Sequence, residues 1–299
     1  MEHPVISIVT PTFNQGHLVE ETIVSVLDQM YPHLEYIIMD GGSTDNTVEI
    51  IKKYEKYITM WRSEPDCGQA DAINKGLRYC TGTIFNWLNS DDYLEKKALF
   101  HIAGLFRGEV DAVAGGVRIF SSNTSYTVQN RNLSARGILL WNDGVDFVQP
   151  GVWLRRECIP ICGGIDERYH YSFDWDFYIR YLYFFGNVLE TDKLLVHFRL
   201  HDSSKTTKFQ EGFVSEQYAI AQKILLDKNF SLLHQDCIKK LQGRKFAETI
   251  DAILNTDADF HNKIINILKA GITYKRYAFS RIIFGALRKV LKQQMFKIE

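Results

Sequence analysis

The chain has 299 residues, 45% of them hydrophobic and 24% charged, and its 35 Lys and Arg against 36 Asp and Glu leave a formal charge of -1. This is the globular average, enough for one large domain or two, and it excludes disorder, collagen and coiled coil. A balanced charge gives no whole-protein attraction for a polyanion, so no nucleic-acid partner is expected.

Residues 5–10, 35–40, 57–63 and 84–88 are short apolar runs that predict strands, and 17–30, 46–57 and 70–79 carry apolar residues at helical spacing between them. This order predicts parallel strands joined by right-handed crossovers: an α/β, doubly wound, mostly parallel sheet with helices on both faces. Residues 94–106 predict a helix, and 113–120 and 145–154 predict strands around a polar loop. An aromatic helix over 173–185 and short strands over 187–199 follow. From Glu211 onward the pattern is helical, so a boundary near Phe209 separates a first domain, 1–209, from a helical region, 210–299. The five cysteines, Cys67, Cys80, Cys158, Cys162 and Cys237, show no CxxC spacing and read as reduced thiols. The N-terminus lacks a basic leader, and no run approaches the roughly 18 to 20 apolar residues of a spanning helix. A cytoplasmic location is expected.

In doubly wound sheets, ligands sit past the carboxyl ends of the strands. Here those ends read Thr10-Pro11-Thr12-Phe13-Asn14, Asp40-Gly41-Gly42-Ser43-Thr44-Asp45, Ser63-Glu64-Pro65-Asp66 and Asn89-Ser90-Asp91-Asp92. Any one of these polar residues, taken alone, reads first as a turn or helix cap. Their recurrence at successive strand ends predicts a polar crevice. Asp91 and Asp92 follow an apolar strand, where hard oxygen ligands can hold Mg²⁺ or Mn²⁺ and leave positions open for phosphate oxygens. The other reading of that pair is a cap opening the next helix.

The Pro11-to-Asn14, Asp40-to-Asp45 and Asn89-to-Asp92 segments resemble the signature of family 2 glycosyltransferases, inverting nucleotide-sugar-dependent enzymes of the GT-A fold. The run from Glu64 through Asp66, Asp71 and Asn74 to Gly76 resembles the subgroup of bacterial O-antigen and capsule assembly, and the likeness extends from Pro4 to Thr206. The resemblance implies that Thr10, Thr12 and Asp40 hold uracil and ribose, with Pro11, Asn14 and Asn74 on the donor side. Asp66 and Asp71 would line the nucleotide pocket, and Asp91 would ligate a divalent metal. Asn89 stands where many relatives carry Asp; it suits a ribose hydroxyl better than a metal, which leaves Asp91 first and Asp92 second as ligand.

An inverting transfer needs a carboxylate to take the acceptor hydroxyl's proton on the face opposite the leaving diphosphate. Asp174 matches the family's base at the start of its helix, although Phe173 replaces the neighbouring Glu, and Asp176 reads as a helix N-terminal carboxylate. Arg199 and His201 match the family's Arg-x-His-x-x-Ser segment, which implies that both meet diphosphate and that His201 can add a metal ligand. Gln149, Trp153 and Trp175 are expected at the acceptor side, Trp153 reading equally as a core residue. The implied partners are a nucleotide-sugar donor, UDP-hexose by resemblance, and a saccharide or lipid-linked acceptor.

A catalytically silent nucleotide-sugar-binding subunit and a sugar nucleotidyltransferase are the rival readings. The second lacks a Gly-rich basic loop after strand one, and a dehydrogenase lacks GxGxxG there. Toward the C-terminus, Phe279, Ile283, Leu287 and Leu291 alternate with Lys275, Arg276, Arg281, Arg288, Lys289, Lys292 and Lys297, Glu299 being the only carboxylate side chain of that tail. Such a basic amphipathic helix either lies on an anionic membrane surface or packs on its own catalytic domain with a solvated basic face.

Overall fold

A computed structural model describes residues 3–141, 144–201, 204, 210–274 and 280–295. The chain divides into two compact units, Met1–Gln217 and Tyr218–Glu299. The division falls inside a helix, whereas the sequence placed it near Phe209, which lies outside the described residues.

The first unit begins as expected. β1 (Ile6–Thr12), β2 (Leu34–Asp40), β3 (Met60–Ser63) and β4 (Ile84–Trp87) alternate with α1 (Val19–Leu27), α2 (Thr47–Tyr54) and α3 (Gln69–Leu77). β1 pairs in parallel with β2 and β4, and β2 in parallel with β3. Every residue of β1 is buried, the condition under which a parallel strand reads as a continuous apolar run. α1 turns Val19, Ile23 and Val26 onto Ile6 and Ile8, and α2 adds Ile50 and Ile51 to the same core. Polar side chains inside this sheet have partners: Ser7 Oγ donates to Glu35 at 2.6 Å, and the Thr10 hydroxyl bonds the Tyr36 hydroxyl at 3.2 Å.

The second half comprises β5 (Tyr93–Leu94), α4 (Ala98–Leu105), β6 (Ala112–Phe120), β7 (Ser125–Gln129), α5 (Ala135–Leu140), β8 (Val152–Arg155), α6 (Phe173–Phe184) and β9 (Val188–Arg199). Among the described residues the sheet runs β3-β2-β1-β4-β8-β6-β9-β5, with β7 attached to β6. β8 is antiparallel to both β4 and β6, β9 is parallel to β6, and β5 is antiparallel to β9. The result is a mixed α/β sheet whose parallel half matches the sequence pattern.

Departures have local causes. The strand expected over 145–154 is reduced to β8, because Pro150 sits in a 3-10 turn, Gln149–Gly151, and cannot donate to a ladder. The polar loop between the predicted strands contains β7 and α5; β7 exposes Ser125, Tyr126 and Thr127, so it carries no apolar alternation. The short strands expected over 187–199 are one strand of 12 residues. Tyr93 and Leu94 pair with His197 and Val196, so the helix expected over 94–106 starts only at Ala98, after Lys97 in the left-handed region at φ 61°.

α7 (Gln210–Leu226) holds the dividing point, and α8 (His234–Leu254), α9 (Phe260–Thr273) and α10 (Arg281–Met295) make up most of the second unit. Phe246, Ile250, Ile267, Ala270, Ile283, Ala286 and Val290 form its core. Of the tail stripe read from sequence, Ile283 belongs to this core and Leu287 packs against it, while Leu291 is exposed. The inner face of α10 therefore packs within the helical unit, whereas the packing reading had it on the catalytic domain; Phe279, Lys275, Arg276, Lys297 and Glu299 lie outside the described residues. No helix among the described residues is long and apolar enough to cross a membrane.

Candidate active site

A cavity of about 730 Å³ opens past the carboxyl ends of β1, β3 and β4 and continues across to β6, β7 and α6. Of the residues expected from sequence, Pro11, Thr12, Asp66, Asn89, Asp91, Gln149, Asp174, Trp175 and His201 line it. The structure therefore brings the Asn89-to-Asp91 segment, Asp174 and His201 to one space.

Thr10, Asn14, Asp40, Asp71, Asn74, Trp153, Asp92 and Arg199, also expected from sequence, do not line the cavity. Thr10 is fully buried and its hydroxyl is taken by Tyr36. Asp40 is buried; its carboxylate accepts from the Gly42 and Ser43 amides and from Ser63 Oγ at 2.6 Å, so it shapes the loop after β2. Asn14 staples the β1 loop to that loop, its Oδ1 accepting from the Thr44 amide at 2.8 Å. Asn74 donates to the Ile165 carbonyl and to Glu167. Asp71 accepts from the Cys67 amide and pairs with Lys75 at 3.1 Å. Burial opposes ionisation of Asp71, but that amide and Lys75 win and hold its carboxyl below the usual range. Trp153 is fully buried in the sheet core, where no sugar reaches it. Trp175 lines the wall but is anchored, its Nε1 donating to the Ile138 carbonyl at 3.0 Å.

Asp66 enters the cavity wall because residue 41 is glycine: a Cβ there would meet its Oδ2 at 2.6 Å. Burial pushes the Asp66 carboxyl up, against the lowering effect of the Gly68 amide and Lys75. Nearby, Thr12 Oγ1 and Gln15 Oε1 are buried without a hydrogen-bond partner. Buried polar atoms are almost always satisfied, so two unmet atoms in one cavity wall mark a place for a polar ligand.

The two carboxylates after β4 have separate roles. Asp91 is partly exposed and its Oδ2 lies 3.0 Å from His201 Nε2. Asp92 is 1% exposed; its Oδ1 accepts from the Arg199 amide at 3.0 Å, and its backbone carbonyl accepts from Thr22 Oγ1 at 2.7 Å. Burial first, then the Asp91 charge, pushes the Asp92 carboxyl well above the usual range. Asp92 therefore clamps the β4 loop to β9, its carboxylate turned to the Arg199 amide. Arg199 also turns away from the cavity: it pairs with Glu21, donates to the Asp91 carbonyl, and lies 4.7 Å from the Phe120 ring centroid. Among the described residues no group of three His, Cys, Asp or Glu side chains stands ready for a metal. One carboxylate and one imidazole still suit a Mg²⁺ or Mn²⁺ ion that takes its remaining ligands from phosphate and water.

Asp174 opens α6, is half-buried, and accepts from the Trp175 amide at 2.7 Å. Asp176 is fully buried and binds Arg180 through two hydrogen bonds of 2.9 and 2.6 Å; Arg180 continues to the Gly164 carbonyl at 2.8 Å and to the Cys162 carbonyl. Asp176 thus ties α6 to the 162–164 turn. Breaking a buried ion pair from one side leaves a charge without compensation, so Asp176→Ala is expected to destabilise the fold by about 3 to 5 kcal/mol. Urea unfolding measures this, and an unchanged midpoint contradicts it.

The sequence reading missed Glu216. Its carboxylate accepts from the consecutive amides of His170, Tyr171 and Ser172 at 2.7, 2.8 and 2.7 Å, fixing the segment that leads into Asp174. Gly212 allows the close approach, since a Cβ there would meet the Tyr171 ring at 2.6 Å. In sequence Glu216 is one more helical glutamate; only the preceding glycine hints at contact.

Residues 7–159 match the sequence profile described as glycosyl transferase family 2. The chain is 41% identical over 99 residues to TuaG of Bacillus subtilis, a putative teichuronic acid biosynthesis glycosyltransferase, covering 32% of this chain and 39% of that protein. It is 29% identical over 126 residues to WfgD of Escherichia coli, named as a UDP-Glc:alpha-D-GlcNAc-diphosphoundecaprenol beta-1,3-glucosyltransferase, covering 42% of this chain and 50% of that protein. The matches thus span half or less of these relatives' length. The structure of S. aureus TarS 1-349 in complex with UDP-GlcNAc aligns at a TM-score of 0.66 and 16% identity, covering 98% of this chain and 92% of that one. Mannosyltransferase PcManGT from Pyrobaculum calidifontis, in complex with GDP-Man and Mn2+, aligns at 0.63 and 16% identity, covering 100% and 89%. At such identities the likeness establishes the fold, which is GT-A-like.

Proposed function

The chain belongs to glycosyl transferase family 2, and from that premise we propose that it moves a hexose, with inversion, from UDP-hexose to a hydroxyl of a lipid-linked saccharide in surface polysaccharide assembly. The observation that carries this reading is the convergence of Asp91, His201 and Asp174 on a cavity whose β1 side holds the unmet polar atoms of Thr12 and Gln15. The names of TuaG, WfgD and the UDP-GlcNAc complex of TarS support the substrate classes.

Thr12, Gln15 and Asp66 bind and orient the nucleotide at the parallel half of the sheet, where doubly wound folds take their ligands. Asp91 and His201 would hold Mn²⁺ or Mg²⁺, which when bound neutralises charge on the donor diphosphate. Asp174 accepts the acceptor hydroxyl's proton while that oxygen bonds the anomeric carbon and the bond to the diphosphate oxygen breaks. UDP then leaves from the opposite face, and the configuration inverts.

Thermal shift and turnover across a nucleotide-sugar panel, with and without Mn²⁺, test the reading, because a ligand of the folded state raises stability by mass action. A metal-dependent shift and transfer with a UDP-sugar are expected. Binding without turnover favours the silent subunit.

We place the protein in the cytoplasm, peripheral to the membrane. Between Phe260 and Ile298 the sequence carries Lys263, Lys269, Lys275, Arg276, Arg281, Arg288, Lys289, Lys292 and Lys297 and no carboxylate side chain. Ile272, Phe284 and Leu291 are exposed on α9 and α10. Juxtaposed cations and apolar side chains suit an anionic lipid surface. Sedimentation with phosphatidylglycerol vesicles is expected to fall when Phe284 and Leu291 are both changed to Ser, with little binding to phosphatidylcholine; equal binding by both forms refutes the contact.

A further inference from the structure

Building on the glycosyltransferase reading, we propose that Trp141 is the platform on which the acceptor's sugar ring stacks. Residues 130–141 and 144–148 form a lobe at the β6 side of the cavity, away from the β1 and β3 ends assigned to the nucleotide. Its base is rigid. Asn130 is buried and clamps both ends of the lobe: its Nδ2 donates to the Gly115 and Val148 carbonyls and its Oδ1 accepts from the Val148 amide. Arg131 and Asp146 form a backbone bridge beside it, and Ser134 caps α5 by accepting from the Gly137 amide.

Trp141 ends this helix and lines the cavity with 53% of its surface exposed. Its amide closes the helix onto the Gly137 carbonyl at 2.8 Å, which holds the residue in the left-handed region at φ 51° and ψ 50°. Glycine or asparagine ordinarily takes that position, and a bulky residue there is an outlier from which a functional role is inferred. The indole is braced rather than loose. The indole and the Phe147 ring meet near-perpendicular, centroids 6.3 Å apart at 76°, and buried Phe147 backs onto Tyr178 at 4.9 Å. Tyr126, half exposed, faces the same cavity from β7, across the hairpin from Ile119.

A wide, exposed, rigid aromatic face in a strained conformation suits a flat ligand with apolar faces and a polar rim. A pyranose ring has that form: axial C–H groups on its faces and hydroxyls around its edge. Trp153, which the sequence offered for this task, lies in the core, and Trp175 is pinned by its own hydrogen bond. Trp141 takes the role by position.

Saturation-transfer NMR on the full chain, with UDP and methyl β-glycosides of glucose and N-acetylglucosamine as probes, tests the platform without requiring turnover. Wild type is expected to pass saturation to the ring protons of at least one glycoside. In Trp141→Gly, which suits the left-handed backbone and should fold at least as well, glycoside affinity is expected to fall roughly tenfold, and in Trp141→Phe less. UDP affinity should change by less than about twofold, because the nucleotide lies past other strands. A glycoside signal absent from wild type, or unchanged in Trp141→Gly, overturns the platform. Loss of the UDP signal in wild type, with a glycoside signal that still depends on Trp141, refutes the donor assignment and upholds the platform.

Discussion

Asp174→Asn is expected to lower transfer by about 10² to 10⁴-fold, the range for losing a positioned general base, while nucleotide and metal binding persist. The residue lies in the first turn of α6, where a negative side chain is favoured by the helix dipole, and it faces the cavity together with Asp91. Asp176 shares that first turn but does not line the cavity. It is fully buried, bound to Arg180, and lies about 200° further round a helix of 3.6 residues per turn. The two variants therefore separate chemistry from folding: Asp174→Asn keeps its unfolding midpoint and loses turnover, whereas changes at Asp176 act through stability. Paired kinetics and a nucleotide titration on both variants provide the check. An active Asp174→Asn enzyme removes the residue from the base role.

Much of the parallel half was legible because its physics is local. β1 and β4 are buried throughout, so they appear as apolar runs, and α1 and α2 show their inward stripes at helical spacing. The lobe carrying Trp141 was not legible. β7 is an exposed edge without alternation, α5 spans only six residues, and the left-handed turn at Trp141 has no glycine to announce it. In the site, the strand-end rule found segments that border the cavity but could not rank residues within them. Asp40 ends β2 and Asp66 follows β3, yet Asp40 is absorbed by Ser43 and Ser63 while Asp66 reaches the cavity past Gly41. That choice depends on partners far along the chain, such as Ser63 for Asp40 or Arg199 for Asp92, and no local pattern encodes them. Trp153 shows the same limit: a tryptophan reads identically as platform and as core until its neighbours are known.

Asp91→Ala is expected to abolish measurable transfer and leave the fold intact. The partner seen for its carboxylate is His201 at 3.0 Å, and both side chains keep about a fifth of their exposure, 22% and 21%. A pair this open contributes little to stability, about 0 to 1 kcal/mol. In the proposed reaction its value would lie instead in what it gathers: a carboxylate and an imidazole lining the cavity that would hold a divalent cation against the donor diphosphate, a contribution worth about 10² to 10³-fold or more in rate when removed. The adjacent Asp92 supplies the control. Its carboxylate accepts from the Arg199 amide in a buried setting, so Asp92→Ala leaves that amide unsatisfied and is expected to cost about 1 to 3 kcal/mol of stability. Two neighbouring carboxylates should thus fail in opposite ways. Asp91→Ala should keep its melting temperature and lose the stabilisation that Mn²⁺ gives in the presence of nucleotide, whereas Asp92→Ala should melt earlier yet respond to Mn²⁺ while folded. A Mn²⁺-dependent shift that survives Asp91→Ala and disappears in folded Asp92→Ala would transfer the ligand role to Asp92 and require the β4 loop to rearrange when substrate binds.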